Sequence, residues 1–408
     1  MKTIAIIASC DTKHQEVRFM RERLALAGVK ALVVDMAIGP GASREADISR
    51  KQVALGAGVR WDEVKNCSKG ELIELMTNAV KLCILDLYRR GSIHGVLAAG
   101  GVQNTTVAVS AMQALPIGFP KVMATTIASG ARPFGSVVGN RDIVVIPSIC
   151  DFTGLNTMTR VILTNACACV VGLCTHGGQA VEKPARPLVG MTLMGVTNTG
   201  ACAAVEELDR LGIEAVGFHS TGVGGRIMEE LAEDGLLDGI LDLTTHEITA
   251  EYFGGGFSYG AVNRLVKPAM LGIPMVVSVG GLDFIDFDQD HFPPRMEQRV
   301  SNMHNATLAH IKILPDEAAK IGTIFAQLLN LAQKGVRLLL PTLGMRSNTR
   351  PRESLYSPET DDALLSAICE QIGDKVRVQQ IEGNVNDAAF GILAARAMAD
   401  ELAHRGKE

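Results

Sequence analysis

The sequence has 408 residues, with 39 Lys plus Arg against 44 Asp plus Glu and a formal net charge of −5. So slight an acidic excess offers no positive field to a polyanion, so no nucleic-acid partner is expected, and the length favours two domains of roughly 200 residues each. Apolar residues make up 47% and aromatics only 4%, with 42 glycines, a balance suited to small-residue α/β packing.

The chain opens MKTIAIIASCD, an apolar run that stops at Asp11 with no cleavage-site pattern, so it reads as a first strand, Thr3–Ala8. A loop over Ser9–Lys13, an amphipathic helix over Gln15–Ala27, Gly28 as its cap and a strand over Ala31–Val34 complete a βαβ start. Helical patterns follow at Ser49–Leu55 and Lys69–Arg90. Strands at Gly95–Ala99, Lys121–Thr125 and Ile143–Ile146 each run into a polar, glycine-bearing loop. The apolar stretch Val161–Cys174, inside a segment starting at Thr157, is interrupted by Thr164 and Asn165 and is too short to span a bilayer, so no membrane segment is expected. Its Cys167 and Cys169 would lie on different faces of a helix, which argues for a buried helix rather than a metal site. No metal site is expected from protein ligands. Nine cysteines, irregularly placed, suit the reduced thiols of a cytoplasmic protein, and Cys10 is the one thiol worth watching for reactivity.

The segment EKPARP at Glu182–Pro187 reads as a linker between domains 1–181 and 188–408. The second half then repeats the opening plan with strand Leu188–Met194, loop Gly195–Gly200, helix Ala201–Leu211, Gly212 and strand Ala215–Phe218. Further strands are expected at Gly239–Leu243, Pro274–Ser278 and Arg337–Leu340, and Met345–Asp362 is expected to be a loop. Strands alternating with helices predict two Rossmann-like α/β domains, each a largely parallel sheet flanked by helices.

In such sheets ligands collect beyond the carboxyl ends of the strands, where helix starts present free N–H groups. The loops there supply Asp11, Thr12 and Lys13, then Gly100, Gly101, Asn104, Thr105 and Thr106, then Thr125, Thr126, Ser129 and Gly130, and last Asp151, Gly154 and Asn156. Glycine lets a phosphate approach the main chain, hydroxyls bond its oxygens and Lys13 offsets its charge. Each motif alone is equally a tight turn or a helix cap, and it is their recurrence after four strands that favours a phosphate cradle. Neither a P-loop nor a G-x-G-x-x-G follows the first strand. In the second half, Ser220, Thr221, Gly222, Gly224 and Gly225 form the loop best suited to an anion, and His219, His246 and Glu247 are candidates for acid–base catalysis. The group Asp283, Asp286, Asp288, Asp290 and His291 lacks a calcium-loop pattern and reads as a solvated acidic turn.

Taken in order, DTK at Asp11–Lys13, GGVQNTT at Gly100–Thr106, TTIASG at Thr125–Gly130, Asp151–Asn156, FHSTGVGGRIMEEL from Phe218, and LDLTTHEIT from Leu241 with a following GGG resemble the Tm-one-like ATP-binding family. The resemblance covers essentially the whole chain, and His304–Asn305 and Val385–Asp387 look like further family segments. It implies two Rossmann-like domains, typically a homodimer, with ATP held by Asp11, Thr12, Lys13, the loop after Asp35 at Met36 and Ala37, and Gly100–Thr106. Mg²⁺ could accompany the phosphates. The stretch from Met345 to Glu359 and His310 depart from the family's pattern. Two other readings stay open: a metabolic enzyme acting on a small carboxylate or phosphorylated metabolite, and a regulatory protein stabilised by a nucleotide.

Overall fold

In the computed structural model, which describes residues 1–128, 138–177, 180–288, 292–333 and 335–405, the chain forms two compact units, Met1–Val181 and Glu182–Glu408. The first unit begins with β1 (Thr3–Ala8), whose side chains alternate between two separate apolar clusters. Ile4, Ile6 and Ala8 join Val17, Met20 and Leu24 of α1 (His14–Leu26), while Ala5 and Ile7 join Met76, Val80 and Ile84 of α3 (Lys69–Arg89). This period of two, apolar on both sides, is what a central strand covered by helices on both faces requires. The remaining elements are β2 (Lys30–Asp35), α2 (Arg50–Gly56), β3 (Gly95–Gly100), α4 (Val102–Gln113), β4 (Lys121–Thr125), β5 (Val144–Pro147) and α5 (Thr157–His176). The strands lie in the order β2-β1-β3-β4-β5 and every neighbouring pair is parallel.

Helix α5 is longer than its apolar run suggests, because Asn156 caps it and accepts hydrogen bonds from the N–H groups of Met158 (2.9 Å) and Thr159 (3.0 Å). At 20 residues it is long and apolar enough to cross a membrane by length and composition. Its face of Leu163, Ala166, Cys167 and Val170 is nonetheless spent on the sheet and on α1.

The second unit carries β6 (Leu188–Leu193), α6 (Asn198–Arg210), β7 (Glu214–His219), α7 (Gly224–Glu233), β8 (Gly239–Thr244), α8 (Glu247–Phe253), α9 (Val266–Leu271) and β9 (Met275–Gly280). It continues with β10 (Phe284–Asp288), β11 (Ser301–Met303), β12 (Leu308–Lys312), α10 (Pro315–Leu329), β13 (Val336–Pro341), α11 (Pro358–Gln371), β14 (Val376–Ile381) and α12 (Ala388–Arg405). Six strands form a parallel sheet in the order β14-β13-β9-β8-β6-β7. An antiparallel sheet, β10-β12-β11, is inserted between β9 and β13.

That insertion corrects the acidic turn expected around Asp283. Asp283 and Asp286 are fully buried, Asp283 against Lys312 (2.8 Å) and Arg346 (2.9 Å), and Asp286 against the hydroxyl of Ser258 (2.5 Å). Asp290 and His291 lie outside the described residues. Helices α6 and α12 pack closely, with Ala201, Ala204 and Leu208 sharing a cluster with Ala394 and Met398. Glycine makes the approach possible, since a Cβ on Gly391 would stand 1.9 Å from the carbonyl oxygen of Gly200.

Candidate functional site

In the first unit the chain leaves the carboxyl ends of the neighbouring strands β1 and β3 in opposite directions, from β1 to β2 on one side and from β3 to β4 on the other. A crevice opens between such loops beyond the strand ends. It holds a cavity of about 400 Å³ lined by Ser9, Asp11, Thr12 and Lys13 after β1, Ile38 and Gly39 after β2, and Gly101–Asn104 after β3, with Lys69 and Asp151. Three helices start at this cavity: α1 and α4 carry no side-chain cap, whereas α3, which brings Lys69, has a complete capping box, as do α2 and α5 elsewhere. Uncapped starts leave first-turn N–H groups and the positive end of the helix dipole for another acceptor.

The lining is held by contacts that the loops make with one another. Lys13 reaches the carbonyl of Phe152 through Nζ, which fixes the ammonium at the cavity while leaving two of its three hydrogens for other acceptors. The hydroxyl of Ser9 donates to Asn104 Oδ1 at 2.9 Å, joining the loop after β1 to the first turn of α4. Gly39 lies against Asp11, so a Cβ there, 2.5 Å from Asp11 Oδ2, would make that carboxylate turn aside. Arg50 of α2 holds this loop from behind through the carbonyls of Gly39 and Gly41 and stacks over Trp61 at 5.1 Å.

Of the residues expected to contact a nucleotide, Asp11, Thr12, Lys13, Gly101 and Asn104 line the cavity. The others that are described do not line it. Met36 and Ala37 are buried, with the Met36 N–H on the carbonyl of Ala8 (3.0 Å) and the Ala37 N–H on Asp35 (2.9 Å). Gly100 packs under Asn104, the Thr105 hydroxyl meets that of Thr125 at 2.6 Å, and the Thr106 hydroxyl bonds the carbonyl of Val102 at 3.0 Å. Ser129 and Gly130 lie outside the described residues. Sequence reasoning missed Ser9 and above all Lys69, while Ile38 and Gly39 fall in the loop after Asp35, and Val102 and Gln103 within Gly100–Thr106, without having been singled out. Ser68 and Glu71 mark the start of α3 by their capping box, but nothing local says that this start folds toward the loops after β1 and β3.

In the second unit the expected anion loop is answered by the chain itself. The carboxylate of Glu247 accepts the N–H of Gly225 at 3.4 Å at the start of α7, and a Cβ on Gly225 would stand 2.1 Å from Arg264 Nη1. Gly224 and Gly222 are likewise packed against the chain: a Cβ on Gly224 would collide with the carbonyl oxygen of His219, and one on Gly222 would stand 2.7 Å from that of Tyr259. Ser220 is buried with its hydroxyl on the carbonyl of Thr244 at 2.7 Å, while Thr221 bonds Nδ1 of the exposed His219 at 3.1 Å. These glycines serve close packing of main chain and Arg264.

The three residues proposed as acid–base groups do not converge. Glu247 is buried on Arg264, together with Glu229 and Asp242, so one guanidinium faces three carboxylates. Burial raises all three carboxyls, Glu229 to about 7, against the pull of Arg264. His246 points elsewhere: its Nδ1 lies 2.7 Å from the carbonyl of Gly281 and therefore carries the proton, its ring stacks on Phe284 at 4.1 Å, and its Nε2 is 3.4 Å from Asp286. Burial would raise the Asp286 carboxyl, but His246 and Ser258 hold it below its ordinary range. Arg346 lies 4.1 Å over the ring of Phe284, and burial and that cation push the neighbouring His310 down to about 4. Asp283 is held at about 2, where Arg346 and Lys312 overcome the cost of burial. Among the described residues no group of three or more His, Cys, Asp or Glu is arranged to hold a metal ion.

The watched thiol of Cys10 is buried, and burial together with Asp35 raises it further from its reactive form.

Known proteins resemble the chain along its length. The model of the uncharacterised protein family UPF0261 N-terminal domain matches residues 2–179, and that of the UPF0261 C-terminal domain matches residues 186–402. A UPF0261 protein of Clostridium tetani is 35% identical over 406 residues, covering 98% of this chain and 99% of that protein. The ToMV resistance protein Tm-1(GCR237) of Solanum lycopersicum is 30% identical, covering 97% of this chain and 55% of the tomato protein. Among solved structures, MurG of Acinetobacter baumannii aligns over 99% of this chain and 94% of its own at 11% identity, with a TM-score of 0.24 that carries no argument. The chain belongs to the UPF0261 family, the family that its N-terminal and C-terminal domains both match and to which the tomato Tm-1 protein is related.

Proposed function

We propose that the chain binds ATP, or a phosphate-bearing molecule of similar size, in the cavity of its first unit. The observation that carries this reading is the meeting of two uncapped helix starts with Lys13 and Lys69 around about 400 Å³ of space, a volume within the usual range for small-molecule sites. The choice of ATP rests on the family resemblance. Phosphate oxygens would take the N–H groups at the start of α4, and Lys13 and Lys69 would offset their charge. Asp11 and Asp151 line the same cavity, so a Mg²⁺ ion would arrive on the phosphates and meet these carboxylates directly or through its water. The proposal extends to a cytoplasmic homodimer, which light scattering of the free and ATP-loaded chain would test.

Calorimetric titration of the full chain with ATP and Mg²⁺ decides the central point. Saturable binding that weakens by about ten- to a hundredfold in Lys13→Met, the worth of a hydrogen bond to a charged group, is the expected result. Absence of heat from the parent protein at millimolar ATP, with no gain in thermal stability, would overturn it.

A further inference from the structure

In many doubly wound nucleotide sites an acidic residue at the end of the second strand accepts hydrogen bonds from the ribose hydroxyls. Asp35 occupies that position here, as the last residue of β2. Its carboxylate is fully buried and already committed within the protein. Oδ1 accepts the N–H of Cys10 at 3.0 Å and the N–H of Ala37 at 2.9 Å, and Oδ2 accepts the hydroxyl of Ser43. These three bonds tie the loop after β1 to the loop after β2, and a sugar hydroxyl could displace none of them without leaving a buried donor unpaired. Asp35 is also absent from the cavity lining, where the carboxylates are Asp11 and Asp151.

A stacking surface for a base is also missing from the described lining. None of the described lining residues is aromatic, and their apolar surface is limited to Ile38 and Val102 beside the stems of the lysines. Lys13, Lys69, the hydroxyl of Thr12 and the helix-start N–H groups address phosphate oxygens, and Asp11 and Asp151 suit a cation carried by the phosphates.

Resting on the reading of this cavity as a phosphate site, we infer that it recognises its ligand through the phosphate chain and is indifferent to the sugar, with Asp35 acting as a positioning residue for the two loops. Ribonucleoside and deoxyribonucleoside triphosphates then bind alike, and inorganic tripolyphosphate competes for the same site. The pattern separates a polyphosphate-reading site from a nucleoside-reading one.

The test is a set of calorimetric titrations of the full chain with ATP, dATP and tripolyphosphate, each with Mg²⁺, for the parent and for Asp35→Asn. The expected result is affinities for ATP and dATP within about threefold, less than a lost hydrogen bond to a carboxylate would give, and displacement of ATP by tripolyphosphate. Asp35→Asn lowers all three affinities together and leaves their ratio unchanged. A dATP affinity weaker than that of ATP by about threefold or more overturns the inference while ATP binding itself stands, as does failure of tripolyphosphate to compete. A change of the ATP to dATP ratio in Asp35→Asn overturns it too, because a merely positioning carboxylate cannot move that ratio. Binding of tripolyphosphate without ATP would overturn the nucleotide reading and support a polyphosphate site, and binding of neither would sink both.

Discussion

Replacing Glu229 by Gln tests the buried charge cluster of the second unit through its dependence on pH. Arg264 faces Glu229 at 2.7 Å and contacts Asp242 and Glu247 as well, so full ionisation would leave two net negative charges in a region closed to water. Burial therefore holds the Glu229 carboxyl at about 7 in the folded chain against an ordinary value of 4.5. The folded state binds the extra proton, so this group's contribution is fully present below pH 4.5 and is lost as the pH rises through about 7. At about 1.4 kcal/mol per unit, the interval amounts to about 3 kcal/mol. Urea unfolding followed by far-UV circular dichroism measures the effect, and the single tryptophan, Trp61, reports the first unit and serves as an internal control. Relative to Glu229→Gln, the parent should lose stability by about 3 kcal/mol between pH 4.5 and pH 8, with the Trp61 transition unmoved. A gap between parent and variant that stays constant within about 0.5 kcal/mol across this range would refute the reasoning, since no shifted proton would then separate the two states.

Gly101→Ala separates binding from folding: its φ of −86° suits alanine and the nearest atom to a new Cβ is Thr126 Oγ1 at 3.6 Å, so stability should hold while calorimetry shows weaker ATP binding. Gly225→Ala should destabilise the chain by about 2 kcal/mol or more in urea, because its Cβ would collide with Arg264 and Glu247 in a filled interior. His310, held at about 4 against an ordinary value of 6.5, has the opposite sign to Glu229. Its contribution is present above pH 6.5 and is lost as the pH falls through about 4, so unfolding curves of His310→Asn should show less acid sensitivity than the parent. A thiol reagent should label the exposed Cys67, Cys202 and Cys369 first, whereas Cys10, Cys167 and Cys174, buried and with raised thiols, should react only on unfolding, as mass spectrometry would register.

The parallel sheets were legible because their inner strands, such as β1, β3 and β8, are apolar on both faces and end in glycine, threonine or other polar residues. Strand β14 was missed because it is an edge strand with four exposed central residues, Arg377–Gln380, which carry no alternation. The antiparallel insertion was missed for a different reason. Asp283 and Asp286 look solvated until Lys312, Arg346 and Ser258 arrive from distant segments to pair with them, and sequence patterning sees only the unpaired residues. At the first cavity, local chemistry exposed the residues that follow β1 and β3. It could not separate Asn104, which lines the space, from Thr105, which turns a hydroxyl toward Thr125 one residue later. In the second unit the glycine enrichment was legible, but the packing of Gly225 on Arg264 and of Gly222 and Gly224 on main-chain carbonyls is set by tertiary structure alone.

The seat of Gly391 against Gly200 also bears on the order in which the chain can complete itself during synthesis. The first unit has all of its strands and helices before Val181, so its sheet can close while the rest is still being made. The second unit lacks that freedom. Its first helix presents Ala201, Ala204 and Leu208 to a surface supplied by the last helix of the chain, and that surface reaches the glycine contact only when residue 391 has left the ribosome. Until then the side of these apolar residues that faces the last helix is uncovered, the condition under which nascent chains associate wrongly or recruit chaperones. Translation arrest or truncation before Gly391 should therefore leave the second unit open however much of its sheet has been made.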